Sequence, residues 1–278
     1  MEAAALKEQL QLFRRNDTSP SDIENPYEVA WHMLRHIGNT DPVLRDELIY
    51  VTFATWIAHG VFSADQLREI LHIAIDDEHL FYRLGEQGTD SVFTRTFSVL
   101  LLPPILSMDR QSPFLNKTDI DRVQERLVAY LKEEKDIRGY VEDKGWAHAP
   151  AHGADAAEDL AQSSDIDRSG LKELMAALAV KIMESSTVYI YDEDQRIAHA
   201  VVAILRRNLL ELSEITSWID SLQRSDSRGI QTLQETSQQA MNVRVFLQTL
   251  YFMIRTEEAE PFTFVRHEMI KVIDKARL

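Results

Sequence analysis

The chain contains no cysteine. This excludes disulfides, a thiol nucleophile and any cysteine-ligated zinc. Glycine is scarce, with nine in 278 residues, and the Asn-Gly pair that marks tight hairpins does not occur. Strand signals are correspondingly weak. Basic residues are outnumbered, 30 Lys and Arg against 45 Asp and Glu, for a net charge of −15. A broad affinity for phosphate backbones needs a basic face, so no nucleic-acid partner is expected. No uninterrupted apolar run reaches the roughly 18 residues that a membrane span needs, and the Met1–Leu10 stretch is acidic and amphipathic rather than a secretion signal. The expectation is a cytoplasmic protein with no membrane partner. Phosphate-cradling glycine loops, the Gly-x-Ser-x-Gly elbow and the dinucleotide fingerprint are also missing, which disfavours the common nucleotide-dependent enzymes.

What remains is helix. Apolar residues recur at helical spacing from Leu6 onward, in roughly a dozen segments of ten to twenty residues that include Leu44–Ile57, Leu67–Leu84, Val92–Met108, Ile120–Leu131, Ala147–Leu160, Ile197–Leu212 and Leu233–Ile254. Ser63 with Gln66 has capping-box spacing, and Asp192 with Gln195 approximates it. Thr118 or Asp119 is placed to cap a helix, and Pro42 suits a first turn after Asp41. Pro103 and Pro104 fall inside an apolar run and should kink or end its helix.

Aligning helices on their basic residues brings Arg45, Arg95, Arg196 and Arg244 into register at intervals of about fifty residues or twice that, with Trp146-Ala-His148 near the missing midpoint. The expected fold is all-α: a superhelical array of paired antiparallel helices, a HEAT/armadillo-like solenoid, forming a single helical-repeat domain over residues 1–278. Its inner layer would hold Asp41–Ile57, Asp90–Met108, Ala147–Ala161, Asp192–Leu210 and Gln238–Ile254. The basic residues, with His148 or His152, would then line one edge of a polar concave groove. An irregular helical globule is the alternative.

Chemistry-bearing residues concentrate between Asp136 and Asp155. Arg138, Tyr140, Lys144, Trp146, His148, His152 and Asp155 lie within twenty positions, beside glycines. His148, His152 and Asp155 have helical spacing and share one face. Two imidazoles and a carboxylate can hold a divalent metal or act as an acid/base pair with an orienting carboxylate. A fourth ligand would come from His199, Glu193 or Asp143. The pattern lacks the Glu that follows the first His in metalloproteases, since Ala149 stands there. A helix amino end favours anions, and Arg138 and Lys144 point the same way, so an anionic small molecule is as natural a ligand as a metal. Equally, the histidines could simply pin the loop while Trp146 fills core. Arg95, Arg196 and His199 complete the candidate ligand-binding set. Within Tyr191–His199 the acids suit a helix start, and Arg196 and His199 could meet Asp155 in an ion network. His32 with His36, and His72 with His79, read as packed or surface histidines. Phe246, Leu250, Tyr251 and Phe252 read as core.

The motif Asp136-x-Arg-Gly-Tyr-x-x-x-Lys-Gly-Trp-x-His-Ala-x-Ala-His-x-x-Asp155 resembles the signature of an uncharacterised bacterial family, domain of unknown function 2785. Arg95-Thr-Phe-Ser-Val-Leu-Leu-Leu, Tyr191-Asp-Glu-Asp-Gln-Arg-Ile-Ala-His-Ala and Phe246-Leu-Gln-Thr-Leu-Tyr-Phe252 are similar to further blocks of it. The resemblance spans most of the chain from about residue 40 onward. It implies a bacterial, helical, HEAT-like protein and brings no activity. Two roles follow as expectations. One is a scaffold binding a protein, a peptide or an anionic small molecule. The other is a metal-assisted or acid/base enzyme, hydrolase-like, using His148, His152 and Asp155.

Overall fold

The computed structural model describes residues 1–16, 18–223 and 232–275. They form helices α1 (Ala3–Arg15), α2 (Pro26–Arg35), α3 (Val51–Ala58), α4 (Ala64–Ala74), α5 (Ser91–Val99), α6 (Leu102–Gln111), α7 (Lys117–Glu133), α8 (Ala149–Ala161), α9 (Arg168–Ile182), α10 (Glu193–Arg206), α11 (Leu212–Ser221), α12 (Leu233–Ile254) and α13 (Glu260–Lys275). A wide π-helical stretch, Val43–Tyr50, runs directly into α3. Strands β1 (Tyr140–Val141) and β2 (Gly145–Trp146) form one small antiparallel hairpin. The fold is therefore all-α with a hairpin insertion. The chain divides into two compact units, Met1–Ala156 and Ala157–Leu278, with the division inside α8.

Local chemistry sets the boundaries. Asn25 caps α2, accepting from Glu28 N at 3.2 Å, with Pro26 at the first helical position. Ser63 and Gln66 form the expected capping box on α4. On α7 the cap is Asn116, with Asp119 as its reciprocal partner, rather than Thr118 or Asp119 itself. Asp41 serves the Val43–Tyr50 stretch by accepting from the amides of Val43 and Leu44. The apolar pattern over Leu67–Leu84 is helical only as far as Ala74; residues 75–84 turn instead. The pattern over Val92–Met108 breaks at Leu100–Leu101, just before Pro103 and Pro104, which cannot donate to the preceding turn.

In the first unit, α4 shows how burial organises the packing. Leu67, Ile70, Leu71 and Ala74 share one face and are buried, while Asp65, Arg68 and Glu69 face outward or stay partly covered. Each fully buried Leu or Ile contributes about 1.5–3 kcal/mol. α5 is covered nearly all round, from Ser91 to Val99. Helical residues Ser91–Gln111 are long and apolar enough to cross a membrane, which the sequence reading did not anticipate; 72% of their apolar window is buried inside the protein, as in a core helix.

In the second unit, α9 packs on α10, α9 on α11, α11 on α13, and α10 on α12. Trp218 Nε1 on α11 donates to Met175 O on α9 over 2.8 Å. Phe246 and Leu250 are core as expected, but Phe252 is 61% exposed and Tyr251 partly so. The helix turns those positions away from the packed face.

Candidate functional site

The hairpin carries the densest set of chemistry-bearing residues in the first unit. It follows from strand periodicity over very few residues. Val141 and Ala147 point inward and pack with Val92 and Phe93 of α5. Tyr140 and Trp146, paired across the strands, point outward and are 54% and 37% exposed. The register continues past the strands, with Ala147 N donating to Gly139 O (2.9 Å) and His148 N to Arg138 O (2.8 Å).

Gly145 makes the close approach possible. Its φ is +76°, and a Cβ there would lie 2.8 Å from Pro42 Cβ, 3.0 Å from Asp46 Oδ2 and 3.1 Å from Arg45 Nη2. Beneath it sits Arg45, fully buried. Its Nη1 donates to Asn39 O (2.7 Å) and its Nη2 to Lys144 O (2.6 Å). Its guanidinium also lies over the rings of Phe93 and Phe97, at 4.2 and 4.7 Å. Arg45 Nε is 2.7 Å from Asp46 Oδ1, an ion pair at contact distance whose atoms are not aligned as a hydrogen bond. The Asp46 carboxylate accepts the Trp146 backbone N–H. Burial nevertheless dominates and lifts the Asp46 pKa to about 6 against the pull of Arg45. The same desolvation lowers the pKa of Arg45.

A second network holds the strand entry. Arg95 is fully buried, with Nε and Nη2 donating to the two Glu134 oxygens (2.5 and 3.0 Å) and Nη1 to Ser91 Oγ and Tyr82 O. Glu134 Oε1 accepts from Asp136 N (2.8 Å). Asp136, itself buried, accepts from Arg138 Nε (2.8 Å), Arg138 Nη2 (2.6 Å) and Gly88 N (2.9 Å). Its carboxylate holds the Arg138 pKa above the ordinary value. Lys144 Nζ sits 2.7 and 2.8 Å from the two Asp90 oxygens.

From the outer face inward the aromatic rings form a connected series. Tyr140 meets Trp146 edge-to-face (5.3 Å, 79°), and Trp146 stacks on His148 (4.9 Å, 26°). His148 meets His152 (5.5 Å), and His152 meets Phe97 (5.4 Å). His148 precedes α8 with φ +52°, a left-handed conformation that costs a non-glycine residue about 1–2 kcal/mol. It is held there by its own amide's bond to Arg138 O and by His152 N donating to His148 O (3.1 Å). His152 is 6% exposed, with Nδ1 3.3 Å from Thr96 O, so that nitrogen donates to a carbonyl.

The expected residues thus divide. Arg138, Tyr140, Lys144, Trp146, His148 and His152 come together at the hairpin and the start of α8, with Asp155 partly buried one helical turn on. The row of basic residues is not uniform. Arg45 and Arg95 are sealed, Arg95 with its donors committed to protein oxygens and Arg45 with both Nη groups so committed, because each ties a loop to a helix, whereas Arg196 and Arg244 are exposed on α10 and α12. Arg95 therefore offers no donor to a ligand. His199 is exposed on α10 in the second unit. In that unit Asp192 is left-handed (φ 63°) and makes no side-chain cap, so the expected Asp192–Gln195 box does not form; Glu193 is buried and accepts from Tyr191 N (2.8 Å) instead. Among the described residues, no three of His, Asp and Glu gather closely enough to hold a metal ion. Four other histidines take structural positions: His72 Nε2 bonds Asp119 (2.8 Å), His79 Nδ1 bonds Asp76 (2.9 Å), and His32 and His36 contact the amino terminus. Sequence reasoning missed Asp46 and Glu134 altogether. Asp136 had a signal, since it opens the long motif.

This is an all-helical protein whose candidate site rests on a hairpin locked over buried arginines. Residues 80–252 match the family described as protein of unknown function DUF2785, and the chain belongs to that family. No curated protein and no solved structure matches it.

Proposed function

We propose that the chain is a cytoplasmic bacterial scaffold, one HEAT/armadillo-like array of paired antiparallel helices over residues 1–278. On this reading it captures a partner protein, a peptide or a small ligand in a polar groove centred on residues 136–155. Support for the array comes from the element order and from the second unit, where each helix packs on the next but one: α9 on α11, α11 on α13, α10 on α12. Stacked repeats produce that pattern.

The observation that carries the binding role is the Tyr140–Trp146–His148 surface. Large aromatic rings stand open on a hairpin anchored over two buried ion networks, and Tyr and Trp with an exposed ring are enriched where proteins bind partners. The left-handed His148 adds local strain at the same place. The acid/base or metal-assisted alternative, using His148, His152 and Asp155, has less support, because His152 is buried and its Nδ1 already engages Thr96 O.

Peptide arrays sampling charge and apolarity, probed with the native chain and with a Tyr140→Ala/Trp146→Ala variant, test the role. Binders lost in the variant, at unchanged melting temperature, are expected. Identical binding profiles would overturn the reading. A stoichiometric divalent ion in the native protein, released by His148→Ala, would favour the alternative.

A further inference from the structure

The identity of the ligand can be narrowed from charge, on the premise that the hairpin is the binding surface. Arg138 and Lys144, the two cations that made an anion attractive, are both engaged: Arg138 by both oxygens of Asp136, Lys144 by both oxygens of Asp90. The hairpin turn carries Glu142 and Asp143. Both are exposed, and among the described residues neither takes part in a hydrogen bond or ion pair. The uncompensated charge beside the rings is therefore negative.

The rings suit a cation as well. Tyr140 and Trp146 stand nearly perpendicular at 79°; Trp146 has His148 stacked on it, and Tyr140, 54% exposed, offers the larger open ring surface. The negative faces of such rings attract a cation, and a planar guanidinium can also stack on them, which an ammonium cannot. The turn's carboxylates are acceptors of the kind that guanidinium groups engage in paired hydrogen bonds. The chain's net charge of −15 favours encounter with a basic partner. Because Gly145, Arg45 and Asp46 already fix the hairpin, little ordering is left for binding to oppose.

We propose that the Tyr140–Trp146 pair and the Glu142–Asp143 turn bind an arginine-bearing segment of a partner protein. The exposed ring of Tyr140, flanked by Trp146, takes the guanidinium face, and the turn carboxylates take its N–H groups.

Calorimetric titration of the full chain with a short peptide alternating arginine and serine tests this, beside the same peptide carrying citrulline or glutamate in place of arginine. The arginine peptide is expected to bind, about tenfold more tightly than the citrulline peptide, and more weakly as salt rises. Tyr140→Ala, and separately Glu142→Gln with Asp143→Asn, should each weaken it about fivefold. All three positions are exposed, and an unchanged melting temperature confirms that folding is intact. No binding, equal binding of the citrulline peptide, or indifference to these variants would overturn the proposal. If the glutamate or citrulline peptide instead binds in a way that Tyr140→Ala abolishes, the surface is a binding site and only the charge assignment falls. If no probe depends on Tyr140, both fall.

Discussion

Arg45 Nη2 donates to the carbonyl oxygen of Lys144 over 2.6 Å, joining two residues 99 positions apart in the chain. That bond places the start of the π-helical stretch directly under the hairpin turn and makes the Arg45–Asp46 pair the foundation of the exposed aromatic surface.

Asp46 gives this foundation a pH dependence. Its folded pKa, about 6, lies above the ordinary 3.8, so the folded state holds this proton more tightly than the unfolded chain. The contribution to stability is fully present below the unfolded pKa, falls as pH rises between about 4 and 6, and is gone above that. Asp46→Asn removes the charge that faces Arg45 and leaves a buried guanidinium less well matched. Asparagine resembles the protonated carboxyl and does not titrate, so relative to the native protein the variant should lose about 1 kcal/mol more at pH 5, where native Asp46 is mostly protonated, than at pH 7.5, where the native carboxylate is ionised against its burial. Urea denaturation at the two values reads the difference. Equal losses at both would show that Asp46 does not titrate in this range.

Gly145→Ala tests how close the hairpin sits. The added methyl meets Pro42 Cβ at 2.8 Å and Asp46 Oδ2 at 3.0 Å, and φ is already +76°. Gly60 has a similar φ, +65°, but nothing within 4 Å of a Cβ. Gly60→Ala should cost about 1 kcal/mol for backbone strain alone. Gly145→Ala should cost about 3 kcal/mol, since a clash against a packed core adds to the strain. Thermal unfolding of the two variants side by side separates the contributions.

The sequence reading placed the helices well where a single face is apolar, as in α7, and it located the motif that builds the site. It assigned no strand within residues 136–146, because two-residue strands are too short to display alternation. The Tyr-Val before the turn and the Gly-Trp after it were the available signal. It also placed Arg45 and Arg95 on a groove edge. Helical spacing shows that they share a register; it cannot show that Phe93, Phe97 and Glu134 close over them. Such burial depends on residues roughly 40–50 positions away, and periodicity carries no information about them.

Tyr130 offers a substitution expected to stabilise the protein. Its ring is buried against α8 at Gly153, and among the described residues its hydroxyl has no hydrogen-bond partner. Burial and the nearby Glu134 carboxylate raise its pKa well above the usual value, so the group stays neutral. An unmatched buried hydroxyl costs about 1–3 kcal/mol relative to water. Tyr130→Phe keeps the ring and deletes that group, and should raise stability by about 1 kcal/mol. A loss in chemical denaturation would mean that the hydroxyl has a partner in solution.

Asn242 does in the second unit what Arg45 does in the first, anchoring a loop that precedes a helix start. It is buried on α12. Its Nδ2 donates to Glu184 O (2.9 Å) and Thr187 O (2.8 Å), and its Oδ1 accepts from Tyr189 N (3.0 Å). One amide thus satisfies three backbone groups of the segment that leads to Tyr191 and the left-handed Asp192. Asn242→Ala strands those groups and should cost about 3 kcal/mol. Asn242→Asp is nearly the same shape, yet it turns the two-donor end into an oxygen facing two carbonyl oxygens. At pH 7 it should therefore be more damaging than alanine, and its deficit should shrink as acid protonates the carboxylate and restores one donor. Hydrogen exchange at the Tyr189 amide supplies the local readout. It should quicken in Asn242→Ala, which removes the acceptor, more than in Asn242→Asp, which keeps one. The same order in both global stability and local exchange would contradict this division between donor and acceptor ends.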